Sequence, residues 1–193
     1  MIWQTNLFLI YMVDKNDLTD GEQLVLSLIY NLNKHFSKVT KLLVQKVFFL
    51  INRSLDDKYV QYEPLHYGMY SYDLEEMLEK EEDLGLINDK HNVTKLGELI
   101  SKDIKQAQDI TLMEGIVNSI KDLNEKDVTY LLYNLYPDFT KDSRIKEEVN
   151  STKLESAVIN LNDISVGESK KIKTDKNHTI TVKKLSKNSI KIV

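Results

Sequence analysis

The chain of 193 residues is 41% hydrophobic and 29% charged, a globular balance that argues against wholesale disorder and against a membrane-embedded chain. It has no cysteine, which excludes a disulfide scaffold, a thiolate zinc site and a cysteine nucleophile and suits a reducing, cytoplasmic setting. A net charge of −4 runs against nucleic-acid binding by the chain as a whole, because neutralising phosphates takes a surplus of Lys and Arg. The length fits one core of roughly 100–150 residues plus an appendage.

Residues 2–13 (IWQTNLFLIYMV) are the most apolar stretch and hold Trp3. A bilayer span takes about 20 residues. A signal peptide takes a basic n-region, which this run does not supply, and Asp14 and Asp17 follow it. Neither secretion nor membrane association is expected. Met12 offers a second start, and the arm (1–18) is expected to pack on the core or on a subunit partner.

Thr19-Asp20-Gly21-Glu22 fits a capping box and predicts a first helix over 20–32 with Leu24, Leu28, Ile29 and Leu32 inward. Val39, Leu42, Leu43, Val47, Leu50 and Ile51 recur at helical spacing and predict a second helix over 39–53. YVQYEP (59–64) reads as extended or loop, since Pro64 restricts Glu63. Ser71 caps a predicted third helix over 72–83, with Asp73 and Glu75 suited to its N-terminal dipole and Leu74, Met77 and Leu78 facing in. Gly85 ends it. Residues 88–92 form a turn-rich tip between two short apolar pieces, and Thr94 caps a fourth helix carrying Leu96, Leu99, Ile100 and Ile104. Helix, helix, helix, β-turn-β, helix is the order of a winged helix-turn-helix. Two more helices are expected over 109–122 and, capped by Asn124, over 125–136; Pro137 breaks the chain before a short helix over 141–149. From 151 the period changes: 158–162 alternate weakly, and 179–183 and 189–193 read as strands paired through Lys187-Asn188. The expected fold is mainly α with a small β part: a winged-helix-like helical domain over 19–150 and a basic β-rich module over 151–193.

Several of these residues carry a family likeness. Glu63-Pro64, His66-Tyr67-Gly68-Met69-Tyr70-Ser71, Leu74, Leu78 and Gly85-Leu86-Ile87 follow the pattern P-x-x-YGP-[YF]-S-x-x-L-x-x-x-L…GLI. The segment 41–50 (KLLVQKVFFL) is similar to a preceding T-x-L-Q-K-L-x-F-L helix, Thr94-Lys95-Leu96-Gly97 to a later T-x-x-G, and Tyr136-Pro137-Asp138-Phe139 to a YPEY element. On these motifs residues 20–145 resemble Panacea-type antitoxin domains and related uncharacterised prokaryotic winged-helix proteins. The resemblance implies a DNA-associated or toxin-neutralising scaffold without catalysis. Met69 stands where those families carry proline, which implies either a softer turn into the third helix or a divergent branch of those families. The C-terminal module lies outside the likeness.

Catalytic chemistry finds no purchase. His35, His66, His91 and His178 form no i, i+4 pair, so no metal site is expected, and no GxxxxGK[ST], GxGxxG or GxSxG occurs, so neither cofactor nor enzymatic activity is expected. His66 is expected to serve as a structural hydrogen-bond partner, and the acids at 75, 76, 79, 81, 82 and 83 as a solvated helix face.

Charge separates into regions. Residues 34–58 sum to +4 through Lys34, Lys38, Lys41, Lys46, Arg53 and Lys58 against Asp56 and Asp57, whereas residues 73–85 sum to −6. Residues 151–193 sum to +5, leaving −9 for the rest. A third helix of −6 would be repelled from the major groove it enters in an ordinary winged helix. DNA would then be met by the second helix (Lys38, Lys41, Lys46, Arg53), the tip (Lys90, His91) and the tail (Lys170, Lys171, Lys173, Lys183, Lys184), unless those tail lysines simply keep edge strands soluble. The alternative is a protein-binding module that grips a basic partner through Tyr67, Tyr70, Glu75, Glu79 and Glu82. The expectation is a DNA-associated regulator or antitoxin-like protein that self-associates as a dimer, with the protein-binding module as its rival.

Overall fold

The computed structural model describes residues 13–104, 107–145, 165–173, 179–184 and 190–192. The arm up to residue 12, residues 146–149 and the 158–162 alternation lie outside the described residues. Among the described residues six α-helices run in chain order: α1 (Asp20–His35), α2 (Lys41–Ser54), α3 (Tyr72–Asp83), α4 (Lys95–Asp103), α5 (Gln108–Ile120) and α6 (Glu125–Leu135). Strands β1 (Glu63–Leu65) and β2 (Gly68–Tyr70) form an antiparallel hairpin between α2 and α3. Strands β3 (Ser169–Lys173), β4 (Thr179–Lys184) and β5 (Ile190–Ile192) form an antiparallel sheet in that order, with β4 central. The fold is mainly α with a small β part, and among the described residues no helix is long and apolar enough to cross a membrane.

The helices begin where short polar side chains satisfy the first amides. Thr19 and Asn124 form reciprocal capping boxes with Glu22 and Asp127, and Thr40, Ser71 and Thr94 each accept from the backbone three residues on. Each such cap stabilises its helix by about 1 kcal/mol. Among the described residues α5 stands apart, since its N-cap residue Ala107 makes no such bond.

Helix α2 is the centre of the molecule. Every residue from Leu43 to Asn52 is buried, so this helix has no solvent face over three turns. It packs against α6, α5, α1 and β2. Phe49 meets Tyr62, Tyr136 and Phe139 edge to face, with ring centroids 4.8–5.0 Å apart. Truncating a buried ring of this kind costs about 3–5 kcal/mol.

Residues 59–64, read as extended or loop, run into β1 at Glu63, and the hairpin with β2 is an addition to that reading. Two expectations change. The predicted β-turn-β between α3 and α4 contracts to a single bridge, Ile87 to Val93. Its tip is closed by Asn88, whose Oδ1 accepts the amides of Lys90 and Asn92, and it is tied to α1 by Asn33, which accepts the amide of Val93 and donates to the carbonyl of His91. With both ends held by side chains, little ladder remains to form. Residues 141–145, the described part of the predicted short helix, are turns, because the Arg144 amide donates to the His66 carbonyl at 2.8 Å rather than to its own helix.

Gly97 sets how closely α4 approaches the bridge. A Cβ there would lie 2.1 Å from the Leu86 carbonyl oxygen, so any side chain forces the two backbones apart.

Candidate functional site: a tyrosine turn beside an acidic helix

Buried polar residues of α2 build the surface that follows it in the chain. Asn52 accepts the Tyr59 amide at 2.9 Å and donates to the Val60 carbonyl at 2.8 Å. Gln45 donates to the Ser71 carbonyl at 2.9 Å and accepts the Ser71 amide at 3.0 Å. Between them Lys46 sends its ammonium to the Tyr67 carbonyl at 2.8 Å and lies 5.5 Å from the Tyr133 ring centroid. The chain from 59 to 71 is thus held at both ends and at its turn by one helix. Such buried polar groups repay their desolvation only when partnered, and these three are.

The turn itself, His66-Tyr67, is held from several directions. The His66 carbonyl accepts the Arg144 amide, and the ring Nε2 of His66 lies 3.3 Å from the Arg144 guanidinium. Gly68 follows at φ +91°, and a Cβ there would meet the Tyr133 ring at 2.9 Å. Tyr133 is in turn 2.6 Å from the Ser143 hydroxyl. Clamped below, the turn leaves the Tyr67 side chain 57% exposed, and Tyr72 at the start of α3 is 56% exposed. Tyr70 packs edge to face on Tyr72 at 5.2 Å and shares Glu75 with Lys41. Lys41 and Tyr70 hold the Glu75 carboxyl below its ordinary range, whereas burial, reinforced by Glu75, pushes the Tyr70 phenol up.

Helix α3 continues this surface. Asp73, Glu76, Glu79, Glu82 and Asp83 are exposed, and Leu74, Leu78 and Glu81 face in. Glu81 corrects the reading of the acid run as a wholly solvated face: it is fully buried and neither carboxylate oxygen has a hydrogen-bond partner. Burial, with the nearby Glu22 carboxylate adding to it, pushes Glu81 well above the ordinary carboxylate range. Glu22 itself is anchored by Lys80 at 2.8 Å and by the Thr19 amide at 2.7 Å.

The cations expected to meet DNA from α2 are mostly committed elsewhere. Lys46 is a correction: it is fully buried and cannot reach a phosphate. Its burial pushes the ammonium down to about 8. Lys41 pairs with Glu75 and Arg53 with Asp57. Lys58 pairs with Asp109 at 2.7 Å, and Lys34 sits 3.7 Å over the Tyr30 ring. Lys38 and, at the bridge tip, Lys90 are exposed; His91 is half-buried at φ +54°, and burial lowers its ring below the ordinary range. In the tail Lys171 and Lys183 are exposed and Lys170 is half-buried, while Lys184 is a second correction, being buried. Lys173 lies at the end of β3 opposite Thr179.

The structure therefore sets Tyr70 beside Glu75, carries Glu79 and Glu82 exposed further along α3, leaves Tyr67 exposed at the hairpin turn, and holds the cations of α2 in the interior or in ion pairs. Gln45, Lys46 and Asn52 were missed as the groups that hold the chain from 59 to 71. Among the described residues no group of three His, Asp or Glu side chains is placed to hold a metal. No protein-family model, curated protein or solved structure matches the chain.

Proposed function

We propose that the protein is a non-enzymatic binding protein of winged-helix-like build that engages a basic protein partner through the Tyr67 turn and the outward face of α3. The observation that carries this is the pairing of an aromatic turn clamped from beneath by Lys46, Arg144 and Tyr133 with five exposed carboxylates on the next helix. Rigid, exposed tyrosines make large contacts at little entropic cost, and tyrosine is enriched among the residues that dominate binding energy. Carboxylates around them select a cationic partner and speed encounter. The resemblance to Panacea-type domains fits an antitoxin-like role for such a surface. The chemistry expected of a DNA-reading third helix runs the other way, since the exposed face of α3 repels phosphate.

Affinity capture from the native host with the full chain as bait tests the reading. Glu79→Lys with Glu82→Lys, and separately Tyr67→Ala, are each expected to lose a partner of basic pI that the unaltered chain retains, with thermal midpoints unchanged. Retention of the same partners by both variants would sink it.

A further inference from the structure

We propose that the cleft between α1, α4 and α5 is a second, separate binding site, for a small phosphorylated sugar. The cleft has a volume of about 430 Å³, within the range of small-molecule sites. Helix α1 lines it with Ser27, Tyr30, Asn31 and Lys34, and α4 with Ser101 and Lys102. Ser27 and Ser101 are more than nine-tenths buried, yet among the described residues neither hydroxyl takes part in a hydrogen bond. Buried polar groups in folded proteins are partnered with few exceptions. Two unpartnered hydroxyls on one cleft therefore call for an occupant that brings donors and acceptors of its own. Asn31 adds to them: its amide nitrogen donates to the Ser27 carbonyl at 2.9 Å, which leaves the amide oxygen to accept.

The charge comes from two ammoniums held on one phenol. The Lys34 ammonium sits 3.7 Å over the Tyr30 ring, and the Tyr30 hydroxyl, after Glu98, helps to hold Lys102 above the ordinary lysine range. Lys34 makes no ion pair among the described residues. Lys102 pairs with Glu98 at 2.6 Å in solvent, where an ion pair is worth little and is readily exchanged. Two lysines match a dianion as point charges, whereas a planar carboxylate is better met by the fork of arginine. Glu114 on α5 supplies a carboxylate, which accepts from hydroxyl groups and repels a second anion. Ile104 and Ile110 offer apolar surface to the C–H face of a ring. The lining thus suits one dianionic group on a hydroxylated body. Inorganic phosphate alone would leave Ser27 and Ser101 unanswered, and an uncharged sugar would leave the ammoniums so.

Isothermal titration of the full chain in low salt with glucose 6-phosphate, ribose 5-phosphate, glucose and inorganic phosphate tests the site. At least one sugar phosphate should bind about 10-fold or more tighter than either inorganic phosphate or glucose. Lys34→Gln/Lys102→Gln should weaken that binding by about 10-fold or more. Ser27→Ala/Ser101→Ala should weaken it by about 5-fold while leaving inorganic phosphate unaffected, and its thermal midpoint should not fall, because the hydroxyls it removes are unpartnered. The control Lys38→Gln/Lys90→Gln, equal in charge and on exposed positions elsewhere, should bind as the unaltered chain does. Absence of heat with both sugar phosphates at about 10 mM, equal affinity for inorganic phosphate, or equal loss in the control would overturn the proposal. So would undiminished binding by the two cleft variants. Glu79→Lys with Glu82→Lys leaves the cleft untouched and should not change sugar-phosphate binding, so failure at α3 and failure at the cleft are read separately.

Discussion

Helix α2 turns Gln45, Lys46 and Asn52 inward and uses each to hold backbone between residues 59 and 71; α3 turns its carboxylates outward and keeps Glu81 inside with no hydrogen-bond partner. The two helices follow one another in the chain, and both bury polar groups, with opposite energetic consequences. Partnered, a buried polar group specifies geometry; unpartnered, it costs about 1–3 kcal/mol. The α2 groups therefore explain why the turn is where it is, and Glu81 weakens the docking of the helix that carries the acidic face.

That contrast can be broken from the α2 side first. Lys46→Ala should cost about 3 kcal/mol in urea unfolding, since it opens a cavity and strips the Tyr67 carbonyl of its donor. Lys46→Met, which keeps the volume, should cost only about 1 kcal/mol. Gly68→Ala should cost about 2 kcal/mol, because it strains a backbone at φ +91° and drives a methyl group into the Tyr133 ring.

From the α3 side the sign reverses. Glu81→Leu should stabilise by about 1–2 kcal/mol at neutral pH, with a smaller gain at pH 5. The folded protein keeps the Glu81 proton where the unfolded chain has lost it, so stability falls as pH rises from the ordinary carboxylate range through the raised folded value. Urea midpoints measured across pH should show that fall flattened in the variant. Glu22 and Lys80, the charged groups beside Glu81, remain in place as an ion pair throughout. Lys46 works in the opposite sense: folded it gives up its proton near 8, below its unfolded range, so stability should recover above pH 8 and the recovery should vanish in Lys46→Met. The smallest effect belongs to the exposed acids. Glu76→Gln and Glu79→Gln should change stability by under about 0.5 kcal/mol, which makes them clean probes of partner binding.

Much of the helical body was legible because its signals are local. Thr19, Ser71, Thr94 and Asn124 mark helix starts within a residue of where they occur. The hairpin was not legible, because the groups that hold it are distant in the chain: Lys46 and Gln45 of α2 lie 21 and 26 residues before their partners, and Arg144 lies 78 residues after His66. Glu81 was hidden by its neighbours in an acid run, although Leu74, Leu78 and Glu81 follow the i, i+4, i+7 spacing of one buried face. Lys46 lies in the same way between Leu43 and Leu50. Spacing carried the information and residue type masked it. Strand β3 (SKKIK) escaped because lysine-rich pentapeptides read as linker until a partner strand supplies the ladder. The candidate surface was legible as a list of tyrosines and acids, but its rigidity was not.

Val182 belongs to the same buried apolar cluster as the helices, and β5 packs against α5 and α2. The sheet is thus a shutter over the helical body. A chain cut short before β3 would uncover that part of α5 and α2, and the bared surface would gather proteins indiscriminately. Truncation is for that reason the wrong instrument for dissecting what this molecule recognises: point changes keep the shutter closed.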